Sequence, residues 1–331
     1  MRTERSGEIQ RSRWIRSLAR FKTHLIVWIS AVGLVFLAIS GITYRRVSDI
    51  SDPFPEEATP LAEGKTGRTQ KVYYIGVISR YPPTLIYQGY QPIIDYLNAH
   101  TPYRFALKLN RTYRQAGQQL VNGKVVAAFF GSYLFARERE KYHLHCVLKP
   151  LNEQFRPVLH AVLVVPLHSS IRSLKDLRGK KLALPSPYSY SANWLRLGAL
   201  QKNGLRFSDL DSVHYFAHHH TVVYEVLKGH FDAGVVKDRV AKEFLQRGMR
   251  VVAQSPPIPS SPVVMAPGAP PGVIEALKTA LLAIDVHDPQ MRDMLSHWDR
   301  EFAYGFVVAH DADYDSLEQV IREKEKNEWP R

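Results

Sequence analysis

Three consecutive residues with hydroxyl groups, Ser189, Tyr190 and Ser191, are the ones whose types and position suggest chemistry most directly. They follow a short apolar segment, 181–184, that predicts a buried strand, and they precede a helical pattern that begins at Ala192. A loop between a strand and a helix N-terminus presents free backbone N–H groups and the positive end of the helix dipole. Added hydroxyl donors make such a loop suitable for binding an anion. An ordinary serine N-cap on an α/β helix is the alternative interpretation.

A run of three histidines, His218 to His220, is the second feature of chemical interest. Three consecutive side chains in a loop point in different directions, so one imidazole donating to an anion is favoured over a metal site. The single cysteine, Cys146, excludes an internal disulfide and a cysteine-rich zinc site, and we expect it to be a small buried thiol. The sequence therefore predicts no metal site and no cofactor.

The common catalytic motifs are missing from the sequence. It has no nucleophile elbow, no zinc-protease helix motif and no phosphate-gripping Gly-Lys loop. A serine–histidine pair in a cleft would need an orienting carboxylate and an oxyanion hole, and the sequence specifies neither. We therefore expect a binding protein with no catalytic residue rather than an enzyme.

The net charge of +13 is concentrated partly at the N-terminus of this 331-residue chain. Residues 1–24 contain seven lysines and arginines but only two acidic residues. The next segment, 25–44, has no charged residue and is about 20 residues long, which is the length a helix needs to cross the hydrocarbon core. Trp28 and Tyr44 lie near its ends, where interfacial aromatic residues are common. The sequence thus predicts a cytoplasmic basic segment followed by a transmembrane anchor.

Positive charge before the predicted span indicates that the N-terminus is cytoplasmic and that the rest of the chain lies in the periplasm or outside. The protein would then be a single-pass protein of the inner (cytoplasmic) membrane. A cleavable signal peptide is the competing interpretation, although the apolar segment is long for one. Because the predicted membrane orientation already explains the positive charge of the N-terminus, we do not expect a nucleic-acid partner.

Residues 45–70 are polar and contain several prolines and glycines, which predicts a linker between the membrane and the folded part. From residue 71, apolar strands alternate with helical patterns, and the second half repeats this arrangement. Such alternation is typical of βαβ units in a mostly parallel sheet, whose ligands bind at the carboxyl ends of the strands. Three loops therefore become candidates for one site, namely the Ser189 loop and the segments Ser79-Arg80-Tyr81 and Gly131-Ser132-Tyr133.

Eight segments between about residues 71 and 320 occur in an order that is typical of one protein family. They are KVYYIGVISRYPP, QPIIDYLNAH, VNGKVVAAFFGSYLFARE, SSIRSLKDLRGKKLAL, YSYSANWLRLGAL, HHHTVVYEVLKGHFDAGVV, SPPIPSSPVV and GFVVAHDADYDSLEQVI. In these segments and their order, the chain resembles the phosphate, phosphite and phosphonate binding proteins of ABC import systems, a branch of the type II periplasmic-binding fold.

The resemblance assigns roles to the second half of the chain first. The segment 189–191 falls where the family has a Ser-Thr-Ser-Gly-like turn that grips the oxygens on phosphorus. His219 falls where the family has a Ser-His-Asp turn, and its imidazole can donate to the same anion. Lys237 and Asp238 fall where the family selects the substituent on phosphorus.

In the first half, the resemblance places Gly131-Ser132-Tyr133-Leu134-Phe135 where the family typically has Gly-Pro-x-x-Tyr on the other lobe, so Ser132 is expected in the site and Tyr133 can compensate for Phe135. Tyr81 is expected there from its place in the loop after the first strand. The chain also departs from the family pattern. Tyr190 replaces a threonine, Ala192 a glycine, and His220 an aspartate, and Phe135 stands in the tyrosine position. These changes predict a bulkier and more basic pocket.

Taken together, these features predict a two-lobed α/β protein of the type II periplasmic-binding kind, preceded by one transmembrane helix. Residues 71–156 and 257–331 would form lobe one, and residues 157–256 lobe two. The lobes would close on a small phosphorus oxyanion, and the closed form would dock on an ABC permease. The alternative function is a sensing or scaffolding domain that reports the ligand to a membrane partner such as a histidine kinase.

Overall fold

The computed structural model describes residues 71–328, together with the isolated helical positions Trp28 and Gly33. Residue contacts divide the chain into one unit, Met1–Arg68, and a second, Thr69–Arg331, to which every strand of the described residues belongs. The expected linker at 45–70, and the expected anchor apart from Trp28 and Gly33, lie outside the described residues. Among the helices that are described, none combines the length and the apolar character that crossing a membrane requires.

Within residues 71–328 the chain forms thirteen β-strands, most of them rich in valine, leucine and isoleucine as buried strands are. They are β1 Val72–Val77, β2 Arg104–Lys108, β3 Ala127–Phe129, β4 His145–Pro150, β5 Val158–Leu159, β6 Ala161–Pro166, β7 Lys181–Leu184, β8 Ser212–Tyr215, β9 Ala233–Lys237, β10 Met249–Gln254, β11 Ile258–Pro259, β12 Val263–Met265 and β13 Phe306–Val308.

The same residues form ten α-helices, which lie between the strands and pack on the sheets. They are α1 Pro83–His100, α2 Tyr113–Val121, α3 Ser132–Tyr142, α4 Tyr190–Asn193, α5 Leu200–Lys202, α6 His219–Leu227, α7 Asp238–Lys242, α8 Pro271–Leu282, α9 Pro289–Ser296 and α10 Asp315–Glu328. A π-helical segment, Leu195–Ala199, joins α4 to α5, and single 3₁₀ turns occur at Leu174–Leu177, Phe207–Asp209, Leu245–Arg247 and Asp311–Tyr314.

Two mixed sheets define two lobes. The sheet of lobe one has six strands in the order β13-β4-β12-β3-β1-β2, and that of lobe two has five in the order β10-β6-β9-β7-β8. In lobe one, β1 pairs in parallel with β2 and β3, and in lobe two, β7 pairs in parallel with β8 and β9. Each sheet is therefore built around three parallel strands.

The remaining strand pairs of these sheets, β3 with β12, β12 with β4, β4 with β13, β6 with β9 and β6 with β10, are antiparallel. The expectation of mostly parallel sheets was therefore wrong, although the two-lobed α/β architecture is confirmed. The reason is that β6 and β12 enter their sheets directly after the chain has crossed from the other lobe. A strand that arrives by a crossing is not bound by the right-handed parallel geometry of a local βαβ unit.

The chain crosses between the lobes in two places, and the two crossings pair with each other. The short strands β5 and β11 form an antiparallel ribbon, with Leu159 opposite Ile258 and Val158 opposite Pro259. The chain enters the sheet of lobe two at Ala161 and leaves it at Gln254. This ribbon is suited to act as a hinge, and the residue boundaries expected for the lobes stay a prediction.

The starts of two helices follow from local residues. Helix α1 begins at Pro83, because proline is well tolerated in the first turn of a helix. The helix expected from Ala192 begins at Tyr190, and it is interrupted by the π-helical segment, in which Gly198 has a φ of 131°. A glycine is needed for that backbone conformation.

Close packing of α6 on β9 makes Gly234 a sensitive position. A Cβ atom on Gly234 would lie 2.7 Å from Val222 Cγ1 and 3.0 Å from Val226 Cγ2. We expect Gly234→Ala to lower the free energy of unfolding by about 1–3 kcal/mol, as overpacked core substitutions do. Gly117→Ala is the control, because its added methyl would meet only Phe130 Cζ at 3.7 Å within helix α2. Urea denaturation of both variants tests this, and equal stability of the two would contradict it.

Candidate anion-binding site

The site lies where the carboxyl ends of the parallel strands of both lobes meet. In lobe two, β9, β7 and β8 are neighbours, so the segments that follow them start side by side. Those segments carry Asp238, the Ser189 loop and His219 respectively, directly after or near the ends of their strands. In lobe one the corresponding segments carry Arg80 after β1 and Ser132 after β3. The topology thus gathers most of the residues that the sequence singles out.

The Ser189 loop contains both the N-cap of helix α4 and a hydroxyl group that has no hydrogen-bond partner among the described residues. Ser189 Oγ accepts a hydrogen bond of 3.1 Å from the N–H of Ala192, which is the N-cap interaction considered for this loop. The Ser191 side chain is 1% exposed, and its Oγ has no hydrogen-bond partner among the described residues. Tyr190 is half-buried, burial raises the pKa of its phenol, and a side-chain hydrogen bond with Ser255 opposes that shift. Ser191 is therefore the hydroxyl of this loop that remains available to a ligand.

His219 supplies a second buried donor. Its ring is 2% exposed, and its Nδ1 accepts a hydrogen bond of 3.3 Å from the N–H of Lys237. Burial and the neighbouring charges of Lys237 and Arg80 lower the pKa of His219 well below its usual value. The imidazole is therefore neutral, and because Nδ1 accepts, the proton is assigned to Nε2. That Nε2 has no partner among the described residues.

The two flanking histidines contact other groups, as their consecutive positions in the chain predict. His220 Nε2 lies 2.8 Å from Glu243 Oε2. The pKa of His218 is lowered by burial and raised in part by a hydrogen bond with the backbone of Ser79, a residue of lobe one. The ring of Tyr81, also in lobe one, meets the His220 ring edge-on with the centroids 5.2 Å apart. The three imidazoles thus belong to three different environments.

Arg80 is a buried cation at the centre of the site. It is 1% exposed, its guanidinium pairs with the carboxylate of Glu301, and its Nη2 lies 3.4 Å from the carbonyl oxygen of Phe130. Its Nε has no partner among the described residues. The ring of Phe302 lies beneath the guanidinium, 6.0 Å from centroid to Cζ. Arg80 was part of a candidate loop in the sequence, but its pairing with Glu301 was not foreseen.

Lys237 reaches from lobe two to residues of lobe one and the hinge region. Its Nζ lies 2.7 Å from Glu301 Oε1 and 2.9 Å from Ser261 Oγ. Burial and the charge of Arg80 lower the pKa of Lys237 well below its usual value, and the charges of Asp238 and Asp299 oppose that shift. Asp238 lies apart from this contact, since its Oδ1 accepts the N–H of Arg239 at 2.8 Å and burial raises its pKa.

Arg239 makes the second set of contacts between the lobes, and no pattern in the sequence signals it. Its guanidinium donates to the hydroxyl of Tyr81 and lies 3.6 Å from Asp299 Oδ1 and 3.6 Å from Glu301 Oε2. Within lobe two it lies 3.9 Å from Glu243 Oε1. The Tyr81 hydroxyl thus accepts a hydrogen bond from a cation of the other lobe, and its place in the ligand site stays a prediction.

Ser132 and Tyr133 are buried at the start of α3, 3% and 6% exposed. Ser132 Oγ donates to the carbonyl oxygen of Pro259 in the hinge ribbon at 2.8 Å, so its proton is already engaged. Two tyrosines that the sequence did not single out lie near Arg80 instead. Burial raises the pKa of Tyr90, and it raises that of Tyr113 to about 12, while the charge of Arg80 opposes both shifts. Both phenols therefore stay protonated and can donate.

Two lobes joined by a hinge ribbon, with buried donors after the carboxyl ends of parallel strands, are the arrangement of two-lobed solute-binding proteins. Residues 75–314 match the family described as "ABC transporter, phosphonate, periplasmic substrate-binding protein". The chain belongs to this family, which is the substrate-binding component of a transporter and not an enzyme. The resemblance found in the sequence is confirmed.

Solved structures agree on the fold. A binding-protein component of an ABC phosphonate transporter from Pseudomonas aeruginosa is 16% identical, with a TM-score of 0.69 over 78% of this chain and 88% of that chain. PhnD1 from Prochlorococcus marinus, solved with methylphosphonate, is 17% identical, with a TM-score of 0.68 over 77% of this chain and 99% of that one. A Xanthomonas citri protein solved with ATP is 21% identical, with a TM-score of 0.60 over 77% and 98%.

The neutral, buried state of His219 predicts a pH-dependent stability. Because the pKa of His219 is lowered in the folded protein, the unfolded chain binds a proton that the folded chain does not once the pH falls below about 6.5. Wild-type stability should therefore fall more steeply than that of His219→Gln, by about 1.4 kcal/mol per pH unit between about pH 6 and 5.

The measurement is denaturant unfolding of both proteins from pH 8 to pH 5. The exposed His168→Gln serves as the control and should follow the wild type. A constant stability difference between the wild type and His219→Gln across this range would show that His219 is not held neutral by the fold.

Proposed function

We propose that this protein captures a small phosphorus oxyanion, a phosphonate, phosphite or phosphate, between its lobes for ABC import. The observation that carries the proposal is that two buried donors, Ser191 Oγ and His219 Nε2, have no partner among the described residues, while the buried cation Arg80 lies close enough to His219 to lower its pKa. Buried polar atoms are almost always hydrogen-bonded in folded proteins. Free donors gathered at the carboxyl ends of parallel strands therefore support a ligand that supplies acceptor oxygens.

The chemistry of the donors favours a tetrahedral oxyanion. The hydroxyl of Ser191 and the neutral imidazole of His219 donate without carrying charge, and the start of α6 adds backbone N–H groups near His219. Arg80 adds a guanidinium, whose hydrogen bonds to an oxyanion are charge-assisted and stronger than neutral ones. Since the donors come from both lobes, the ligand gains its full set of contacts only when the lobes are closed about the hinge ribbon. Such a ligand binds more tightly to the closed arrangement of the lobes than to an open one.

The acidic residues of the site bear on the substituent that the ligand carries. Asp299 and Glu301 are buried, but each already lies within 4 Å of a cation, Asp299 near Arg239 and Glu301 near Lys237. A carboxylate compensated in this way attracts an ammonium group on the ligand only weakly. We therefore propose that phosphate, phosphite or methylphosphonate binds in preference to aminoethylphosphonate. The methylphosphonate complex of the Prochlorococcus neighbour supports including that ligand in the test.

Partner and location follow from the family and from the N-terminal sequence. Membership of the family implies an ABC permease as the membrane partner. The uncharged segment 25–44, preceded by basic residues, supports a single-pass anchor in the cytoplasmic membrane with the folded part outside. No catalytic residue is assigned, because the site's donors serve binding.

A ligand panel tests the binding proposal. Phosphate, phosphite and methylphosphonate are compared with aminoethylphosphonate and sulfate by thermal shift and calorimetry on the full-length protein. At a hundred times its dissociation constant, a ligand of the folded state should add about 2.7 kcal/mol of stability. Ser191→Ala and His219→Gln should each weaken the binding of the best ligand about tenfold, because each removes one donor to the oxyanion.

Ser212→Ala, at an exposed position on β8, is the control and should bind as the wild type does. Binding by the wild type that neither Ser191→Ala nor His219→Gln weakens would place the ligand elsewhere. If none of the five compounds shifts the melting temperature, oxyanion capture is wrong for this protein.

The anchor is tested by fractionation of cells that express the full chain. We expect it in the membrane fraction and resistant to alkaline carbonate, because an apolar helix of about 20 residues is held by the bilayer core. Leu34→Arg should weaken insertion, since an arginine at a helix centre costs about 2.5–3.5 kcal/mol. Leu61→Arg in the polar linker is the control. Release of the wild-type chain by carbonate would argue against an anchor.

A further inference from the structure

The most unusual feature of the site is a buried carboxylate surrounded by cations from both lobes. Glu301 is 8% exposed and lies in lobe one, between α9 and β13. It pairs with Arg80 of its own lobe. From lobe two, Lys237 Nζ lies 2.7 Å from its Oε1 and an Arg239 nitrogen lies 3.6 Å from its Oε2. One protein carboxylate is therefore shared by three basic side chains.

Removing these charged side chains from water costs free energy, which constrains where their partners can lie. A charge taken out of water is tolerated only when a partner of opposite sign and further hydrogen bonds compensate it. Arg80, at 1% exposure, depends on Glu301 for its charged partner, and Lys237 depends on the same carboxylate. Because Arg80 and Lys237 belong to different lobes, the carboxylate compensates both charges only while the lobes are together.

The same cations are those that an oxyanion would need. Arg80 and Lys237 lie close enough to His219 for their charges to lower the pKa of the imidazole, and the backbone N–H of Lys237 donates to that ring. The carboxylate of Glu301 and a bound oxyanion would thus compete for the same basic side chains. A cavity of about 90 Å³ borders Lys237 and Glu301, whereas Ser191 and His219 do not line it. Ser191 and His219 are themselves only 1% and 2% exposed, so a ligand can reach these two donors only if the surrounding residues of the two lobes move apart.

We propose that Glu301 acts as an internal ligand: its carboxylate holds the lobes closed by bridging Arg80 to Lys237 and Arg239, and the oxyanion binds by displacing it. This inference rests on the proposed function for the identity of the competitor. Glu301 then sets both affinity and selectivity. An oxyanion with two negative charges competes better for the three cations than one with a single charge, because it replaces the carboxylate and adds a further charge.

The first arm of the test concerns the protein without added ligand. Spin labels at the exposed positions Ala99→Cys in α1 and Lys175→Cys in lobe two, in a Cys146→Ala background, report the separation of the lobes. Pulsed electron–electron double resonance on the full chain should give one short distance for the wild type. In Glu301→Gln, the neutral amide no longer compensates cations on both sides, so we expect a longer or broader distance distribution.

Glu318→Gln is the matched control, because it makes the same chemical change at another buried glutamate of lobe one. Glu318 is 6% exposed and pairs with Arg139, with 2.7 Å between Glu318 Oε2 and Arg139 Nε. We expect the lobe separation in Glu318→Gln to equal that of the wild type. Should Glu301→Gln fail to fold, Glu301→Asp takes its place, since the shorter carboxylate retains a charge beside Arg80 but reaches less far toward Lys237.

The second arm is calorimetric titration with phosphate and with methylphosphonate. Displacement predicts that Glu301→Gln binds the preferred oxyanion about tenfold more tightly than the wild type does, while Glu318→Gln is unchanged. Weaker binding by Glu301→Gln would mean that Glu301 positions the cations for the ligand and would overturn displacement. An unchanged lobe separation in Glu301→Gln would show that the Glu301 carboxylate does not hold the lobes closed. If the lobes separate in Glu301→Gln but no variant binds either oxyanion, the bridging role of Glu301 is supported and the proposed capture of a phosphorus oxyanion is wrong.

Discussion

A buried positive charge, that of Arg80, is the constraint on which the arrangement of the site depends. A guanidinium at 1% exposure must be compensated, and Glu301 does this from a position 221 residues further along the chain. To place those two residues together, the chain has to leave lobe one, build lobe two, and return through the hinge ribbon. The return brings β12 and β13 into the first sheet, and Glu301 lies on the segment before β13. Lys237 then brings the second lobe against the same carboxylate.

Much of the fold follows from local sequence patterns. The strand at Lys181–Leu184 occurs where an apolar run bounded by glycine and proline predicts it. The sequence also predicts helices near 113–121, 272–284 and 289–299, and the structure has them at Tyr113–Val121, Pro271–Leu282 and Pro289–Ser296. The direction of strands such as β6 and β12 could not be read in this way. A strand of alternating or apolar residues has the same pattern whether it runs parallel or antiparallel to its neighbour, so only the path of the whole chain decides it.

Sequence likewise predicts some residues of the candidate site and not others. Ser191 could be found from local pattern, because it sits beside a helix start after a predicted strand, where an anion site is physically reasonable. His219 was distinguished from the two histidines beside it only by the resemblance to the family. Arg80, Arg239 and Glu301 could not be assigned roles, because no spacing links residues of distant segments that meet only in the folded protein. Even Ser132, which was expected to face the ligand, uses its proton on the carbonyl of Pro259. Burial and competing partners, which sequence does not reveal, decide which donors remain free.

The central claim is that His219 offers an uncharged Nε2–H to an oxyanion, and imidazole ¹⁵N spectra test it most directly. The long-range ¹H–¹⁵N spectrum of the full-length protein, with the His219 signals identified by their loss in His219→Gln, reports the tautomer and its response to methylphosphonate or phosphate. We predict a neutral Nε2–H form that persists below pH 6 and an Nε2 signal that shifts when the oxyanion binds. A His219 ring that titrates near its ordinary pKa, or that does not respond to a bound oxyanion, would contradict this claim.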